Sequence, residues 1–221
     1  MKVNYRYSMN ILILAAHPDD EVLGMGGTIK KLSKKNNIFL VILTEGASSQ
    51  YKDKKMIEVR KQSCKKANQH LGVKDIFFLD YPDMKLDTIP NVEINKKLEL
   101  IIKKTKPEIV YSPPSNDLNK DHQIVYESAL VVTRPHKNSV KELFCYEIPG
   151  LVKEPFKPNV YVDITKEFTS KIKAFNFYKS EIQDFPNPRS IKTLESLALV
   201  RGMESGLKMA ESFQLIKKVV N

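Results

Sequence analysis

Apolar runs alternate along this chain with stretches in which apolar residues return every three or four positions. Residues 10–16 (NILILAA) read as a strand buried on both faces. Residues 26–35 read as a helix, and 38–43 (IFLVIL) as a second strand ended by TEGASS. Residues 54–71 follow as a long basic helix stopped by Gly72, and 75–79 as a third strand. Over 92–104, Ile94, Leu98, Ile101 and Ile102 keep helical spacing. Pro107 then introduces a fourth strand, EIVYS, and the polar loop PPSNDLNK leads into a helix over 121–133. After Pro135 the pattern changes. ELFCYEI and NVYVDI read as two more strands, 165–183 as a helix, DFPNPRS as a loop, and 194–218 as largely helical.

Strand and helix in alternation predict an α/β fold: a Rossmann-like, mainly parallel sheet with helices on both faces and a C-terminal α/β extension. No Gly/Ser linker, internal repeat or low-complexity tract divides the chain. The expectation is one domain over 1–221, with a core at 9–134 and an addition at 135–221. Residues 1–8 read as a dispensable lead-in. In such sheets chemistry collects at the carboxyl ends of the strands. The polar loops after the first four strands (HPDDE, TEG, DYPDM and SPPSNDLNKDH) are therefore expected along one edge.

Composition narrows the function classes. The net charge of +10 comes mostly from scattered lysines, as on solvated helix faces, and also suits attraction of an anionic substrate. No zinc-finger, RNP or KH pattern speaks for nucleic acid. Cys64 and Cys145 are far apart and form no disulfide framework, which suits a reducing compartment and a cytoplasmic location. No apolar run approaches the roughly 18–20 residues of a membrane span, and the N-terminal apolar run lacks a small-residue cleavage site.

A histidine, two aspartates and a glutamate crowd into residues 17–21, where their charges would repel one another. A divalent cation explains the cluster: imidazole and carboxylate from a strand end are ligands for Zn²⁺ or a similar ion. One of Asp19 and Asp20 would bind the ion, while the other faces its open position and takes a proton from water. A catalytic site needs a third protein ligand. Of the four histidines, His122 lies in a loop at the same edge, whereas His70 ends a basic helix and His136 follows one, both as surface residues. The economical set is His17, Asp20 and His122. GMGGT competes as a signal, since glycines opening a helix after a strand resemble a phosphate cradle. It is not GxGxxG and has no Walker lysine; close helix packing accounts for its glycines equally well.

AHPDDEVLGMGGT resembles the signature of the LmbE-like, or PIG-L, family of zinc-dependent N-deacetylases. The likeness continues through VILTEG, EVRKQSCKKANQHLGV, KPEIVYSPPSND and NKDHQIV, with VDIT, YKSE, RG and AESF nearer the C-terminus. It implies hydrolysis of an N-acyl group, usually acetyl on an amino sugar, with zinc on His17, Asp20 and His122 and Asp19 as general base. It implies that Arg60 lines the acyl end of the pocket; a helix-surface charge is the other reading of that residue. Asp121, from the same DH motif, would orient a neighbour or pair with a cation. Many members also carry a histidine three positions before the DH histidine. Here Asn119 stands in that place, and an amide cannot supply a proton.

The expected partner is a small N-acetyl amino-sugar conjugate, with the basic surplus leaning toward an anionic one, and not nucleic acid; homo-oligomers are common in the family. Two other readings stay open: a zinc-retaining binding module without turnover, supported by Asn119, and a nucleotide-binding oxidoreductase built on GMGG.

Overall fold

The computed structural model describes residues 8–135, 138–150 and 152–220. Seven strands form one sheet in the order β3-β2-β1-β4-β5-β7-β6. β1 (Asn10–Ala15), β2 (Asn37–Thr44), β3 (Asp75–Tyr81), β4 (Ile109–Ser112) and β5 (Glu142–Tyr146) run parallel. β7 (Ala210–Lys218) lies antiparallel between β5 and β6 (Val160–Asp163).

β1 shows why its apolar run does not alternate with polar residues. Ile11, Ile13 and Ala15 face a core built with α1 (Asp20–Leu32), α2 (Lys55–Leu71) and α5 (Phe168–Phe175). Leu12, Leu14 and Ala16 face a second core built with α3 (Asn91–Thr105) and α4 (Lys120–Val132). A strand covered on both sides needs apolar residues at every position. With the first five strands parallel, the loops after β1 to β4 leave one edge of the sheet, as the pattern predicted.

Three elements differ from the sequence expectation. α1 begins at Asp20 rather than residue 26, and is broken at Met25 (φ −146°, ψ 24°). The helix expected over 165–183 stops at Phe175 and gives way to turns, with Tyr178 N donating to Phe175 O and Glu181 N to Tyr178 O. Tyr178 and Glu181 turn inward there, toward Glu21 and Arg60. The helix expected over 194–218 is two elements, α6 (Ile191–Ser205) and β7. Gly206, at φ 71°, ends α6 in the left-handed conformation that glycine tolerates. The chain then reverses, and the alternation of 210–218 is used as a strand.

Candidate active site

The site is assembled on the loop that leaves β1. Thr44 on β2 bonds Ala16 O twice, through its N–H (2.9 Å) and its hydroxyl (2.8 Å), so the ladder holds up to the residue before His17. His17 N donates to Asp20 Oδ2 at 2.8 Å. Gly46 closes over Pro18: at φ 64° it adopts a glycine conformation, and a Cβ there would meet Pro18 Cδ at 2.5 Å. Asp19 is wholly buried and sits at φ 128°, ψ −27°, a costly conformation for a residue with a side chain. Three contacts hold it there. Asp19 N donates to Glu21 Oε2 (3.2 Å), Asp19 O accepts the first helical amides of α1, and Arg60 Nη2 donates to Pro18 O (2.6 Å).

Three of the expected residues converge. Donor atoms of His17, Asp20 and His122 all lie within 4.8 Å of one another. His17 Nδ1 is 3.4 Å and His122 Nε2 3.3 Å from Asp20 Oδ2. Each imidazole spends its other nitrogen on a carboxylate. His17 Nε2 donates to Asp121 Oδ2 (3.1 Å), and His122 Nδ1 to Asp117 Oδ2 (2.6 Å). This pattern selects the tautomer that turns a lone pair toward the centre, as at metal sites. His122 Nε2 and Asp20 Oδ1 are buried without any hydrogen bond, which leaves donor atoms for a cation.

His17, Asp83 and Asp121 form a second group of this kind. Three of its four carboxylate oxygens already accept hydrogen bonds. Asp121 accepts from Met84 N (2.9 Å) and Leu86 N (3.0 Å), and Asp83 accepts from the Ser49 hydroxyl. Asp121 thus ties His17 to the loop after β3 and stands behind the group of His17, Asp20 and His122. Glu45 presents Asp83, accepting from Ala47 N and Asp83 N.

Burial opposes charge on both histidines, but the neighbouring carboxylates outweigh it: Asp121 and Asp20 raise His17 to about 10, and Asp20 and Asp117 raise His122 to about 9. Burial likewise resists charge on Asp20, and His122 and His17 overcome it, holding Asp20 well below the usual carboxylate range. Asp19 differs: burial pushes it up, against the pull of Arg189 and Arg60.

Arg60 is 1% exposed and lies under the site. Its guanidinium binds Pro18 O, pairs with Glu181 Oε2 at 2.5 Å and stands 3.6 Å from Asp19 Oδ2. Arg189, from the loop before α6, donates from Nε to the same Asp19 oxygen at 3.2 Å.

The PIG-L family, described as GlcNAc-PI de-N-acetylase, matches residues 12–133, more than half of the chain. The chain belongs to this family. It is 26% identical to the diacetylchitobiose deacetylase of Thermococcus kodakarensis, over 93% of this chain and 82% of that protein. It is 32% identical to the uncharacterized deacetylase YaiS of Escherichia coli, over 77% of this chain and 90% of that protein. An inhibitor complex of N,N'-diacetylchitobiose deacetylase from Pyrococcus horikoshii superposes with a TM-score of 0.81 at 27% identity, over 95% of this chain and 84% of that one.

Within this PIG-L chain, Asn119 has a local task. Its side chain accepts from Asp121 N at 2.9 Å and caps α4. GMGGT is not a phosphate cradle here, because the chain fills it. The break at Met25 frees the amides of Gly27 and Thr28, which donate to the two oxygens of Glu211 on β7 (3.0 and 2.6 Å). Lys171 of α5 binds the same carboxylate at 2.7 Å and Leu23 O at 2.8 Å. The glycines serve close packing: a Cβ on Gly24 would strike Tyr146, and one on Gly27 would strike Ile164. His70 ends α2 half-buried and away from the site. His136 lies outside the described residues, as does most of the expected lead-in.

Asp117, Asp83 and Arg189 were not singled out from the sequence, and Glu181 was noted only as the end of the family-like stretch YKSE, without a role. Asp117 and Asp83 stood in loops already expected at this edge. Glu181 stood in a stretch read as helix, and Arg189 in one read only as a loop.

Proposed function

We propose that this chain is a metal-dependent N-deacetylase, acting as one domain, that hydrolyses the N-acetyl group of an amino sugar or sugar conjugate. The observation that carries the reading is the convergence of His17 Nδ1, Asp20 and His122 Nε2, two of them with unused buried donor atoms; Asp19, the residue before Asp20, is buried with an Oδ1 that also has no hydrogen bond. Two imidazoles and a carboxylate are a ligand set that zinc takes in open catalytic sites. His17, Asp20 and His122 would hold the ion, whose chemistry is that of a Lewis acid, polarising the amide carbonyl and acidifying water.

The chain's own residues do the rest. Asp19 takes a proton from the attacking water as its oxygen bonds to the acetyl carbon. The same carboxyl then returns that proton to the nitrogen as the C–N bond breaks, and acetate and a free amine leave. Burial raises Asp19 toward the proton affinity such a shuttle needs. Asp121 and Asp117 orient the two histidines. Arg60 braces the backbone just ahead of Asp19, through Pro18 O, rather than touching the acyl group. The surplus of basic residues favours an anionic conjugate. Among the described residues no helix is long and apolar enough to cross a membrane, and a cytoplasmic homo-oligomer is the expected working form.

The test is acetate release from a panel of N-acetylated sugars, plain and carrying phosphate, nucleotide, lipid or carboxylate groups, with added zinc and with chelator. Release that chelation abolishes supports the reading and names the substrate class. Release that survives removal of the metal overturns the mechanism, and silence across the panel overturns the substrate class.

A further inference from the structure

We infer that Arg189 is the positioning residue of the proton-transferring carboxylate. It clamps Asp19 Oδ2, leaving Oδ1 as the oxygen that moves the proton. This rests on the deacetylase reading above and adds a residue outside the family-matched segment, which ends at residue 133.

Four observations carry it. Asp19 is wholly buried, and its two oxygens are treated differently: Oδ2 accepts from Arg189 Nε at 3.2 Å, while Oδ1 has no hydrogen bond. A carboxylate with one oxygen tied by a charged donor has one orientation; an untied one turns. Arg60 does not serve this purpose. Its Nη2 bonds Pro18 O and stands 3.6 Å from Asp19 Oδ2, and its charge is matched by Glu181.

The arm itself is anchored. Arg189 N donates to Asn187 Oδ1 (2.9 Å) and Arg189 O accepts from Gln183 N (3.1 Å), so both backbone groups are fixed. The next residue, Ser190, caps α6 by accepting from Thr193 N (3.1 Å). Finally, the clamp is one-sided. The two terminal nitrogens of Arg189 have no hydrogen bond to any described residue, and 35% of the side chain is exposed. Arg201, by contrast, spends its whole fork on Glu147 and Glu204. The labour divides cleanly: Arg60 holds the strained backbone at Asp19, and Arg189 holds its side chain.

The test compares metal-loaded wild type with Arg189→Ala and Arg189→Lys on whichever N-acetyl sugar the wild type hydrolyses. A misaligned proton-transfer group costs on the order of 100-fold, so Arg189→Ala should lose kcat by about that factor with KM nearly unchanged. Metal content and melting temperature should stay near wild type. Added guanidinium should restore rate to Arg189→Ala and none to Asp19→Ala, and Arg189→Lys should recover part of the loss. A loss confined to KM would make Arg189 a substrate contact and overturn the inference, as would unchanged kcat or a loss that follows a falling melting temperature. A second readout needs no activity. In metal-free protein, a melting-temperature cycle of Asp19→Asn and Arg189→Ala should be non-additive. If wild type releases no acetate, the deacetylase reading fails, and the cycle still decides whether the two side chains are coupled; additivity would overturn the clamp.

Discussion

Besides the brace of Arg60, Asp19 is held from two parts of the chain that could hardly be built more differently. On one side is the segment around residues 17–21, where His17 and Asp20 bond across three positions of sequence. On the other is the C-terminal third, where Arg189 reaches Asp19 across 170 positions, and Glu211 reaches Gly27 across 184. The first carries its chemistry in residue types that stand side by side. The second carries it in a loop and a strand whose side chains mean nothing until the sheet places them. Ligands to an ion have to be rare residue types at a strand end, and so they are conspicuous. A brace needs only an arginine or a glutamate in the right place, and any of many would look the same in sequence.

Asp19→Asn tests the conspicuous side hardest. Acetate release should fall by about 10²–10⁴-fold while metal content holds, because general acid–base assistance is worth that much. A fully active variant would remove Asp19 from the mechanism. On the inconspicuous side, Glu211→Ala strands the buried ammonium of Lys171 and two helix amides. It should cost about 3–5 kcal/mol, read as the denaturant midpoint. Replacing the pair together, as Glu211→Leu with Lys171→Met, should cost less than Glu211→Ala alone. If Glu211→Ala melts like wild type, the clasp at Met25 contributes nothing.

The residues behind the proposed ligands should show intermediate effects. Asp117→Ala removes the partner of His122 Nδ1 and should weaken metal affinity about 10–100-fold, measured by competition with a chromogenic chelator. Protons compete for the same histidines. His17 at about 10 and His122 at about 9 lie above their unfolded value of 6.5, so their charged forms stabilise the metal-free fold. That contribution is complete below pH 6.5 and is lost as pH rises through 9 to 10. The melting temperature of chelated protein should therefore fall across that window, and the gain on adding zinc should grow. A flat profile would mean the two histidines are neutral without metal. Asn119→Ala should show the smallest effect. A lost helix cap costs about 1 kcal/mol, so the variant should melt a few degrees lower with kcat little changed. A large fall in kcat would give the amide a part in the reaction.

How much was legible follows the same division. Strands β1 to β4 and the helices between them were readable because apolar periodicity is a local consequence of which faces are buried. The set of His17, Asp20 and His122 was readable because the loops after β1 and β4, neighbours in a parallel sheet, share an edge. α1 was placed six residues late because glycines are poor helix formers. Its glycine-rich first turns are instead stabilised by Tyr146 and Ile164 packed against them, and by Glu211 at the break. β7 was read as helix because 194–218 is apolar enough for either period; Gly206 and the vacant position between β5 and β6 made it a strand.

The sequence by itself determined the parallel α/β sheet, the edge where chemistry collects and the three side chains able to hold an ion, since spacing and residue type within a few positions suffice for each. Only the tertiary structure decided that a glutamate from β7 fills the GMGGT cradle, that Arg60, which the resemblance already put at the pocket, is buried on Pro18 O and Glu181, and that Arg189 faces Asp19. Those outcomes depend on which side of the sheet the C-terminal chain returns to: AESF resembles a family stretch, but nothing in it says what Glu211 will touch, and the loop that carries Arg189 has no period or motif at all.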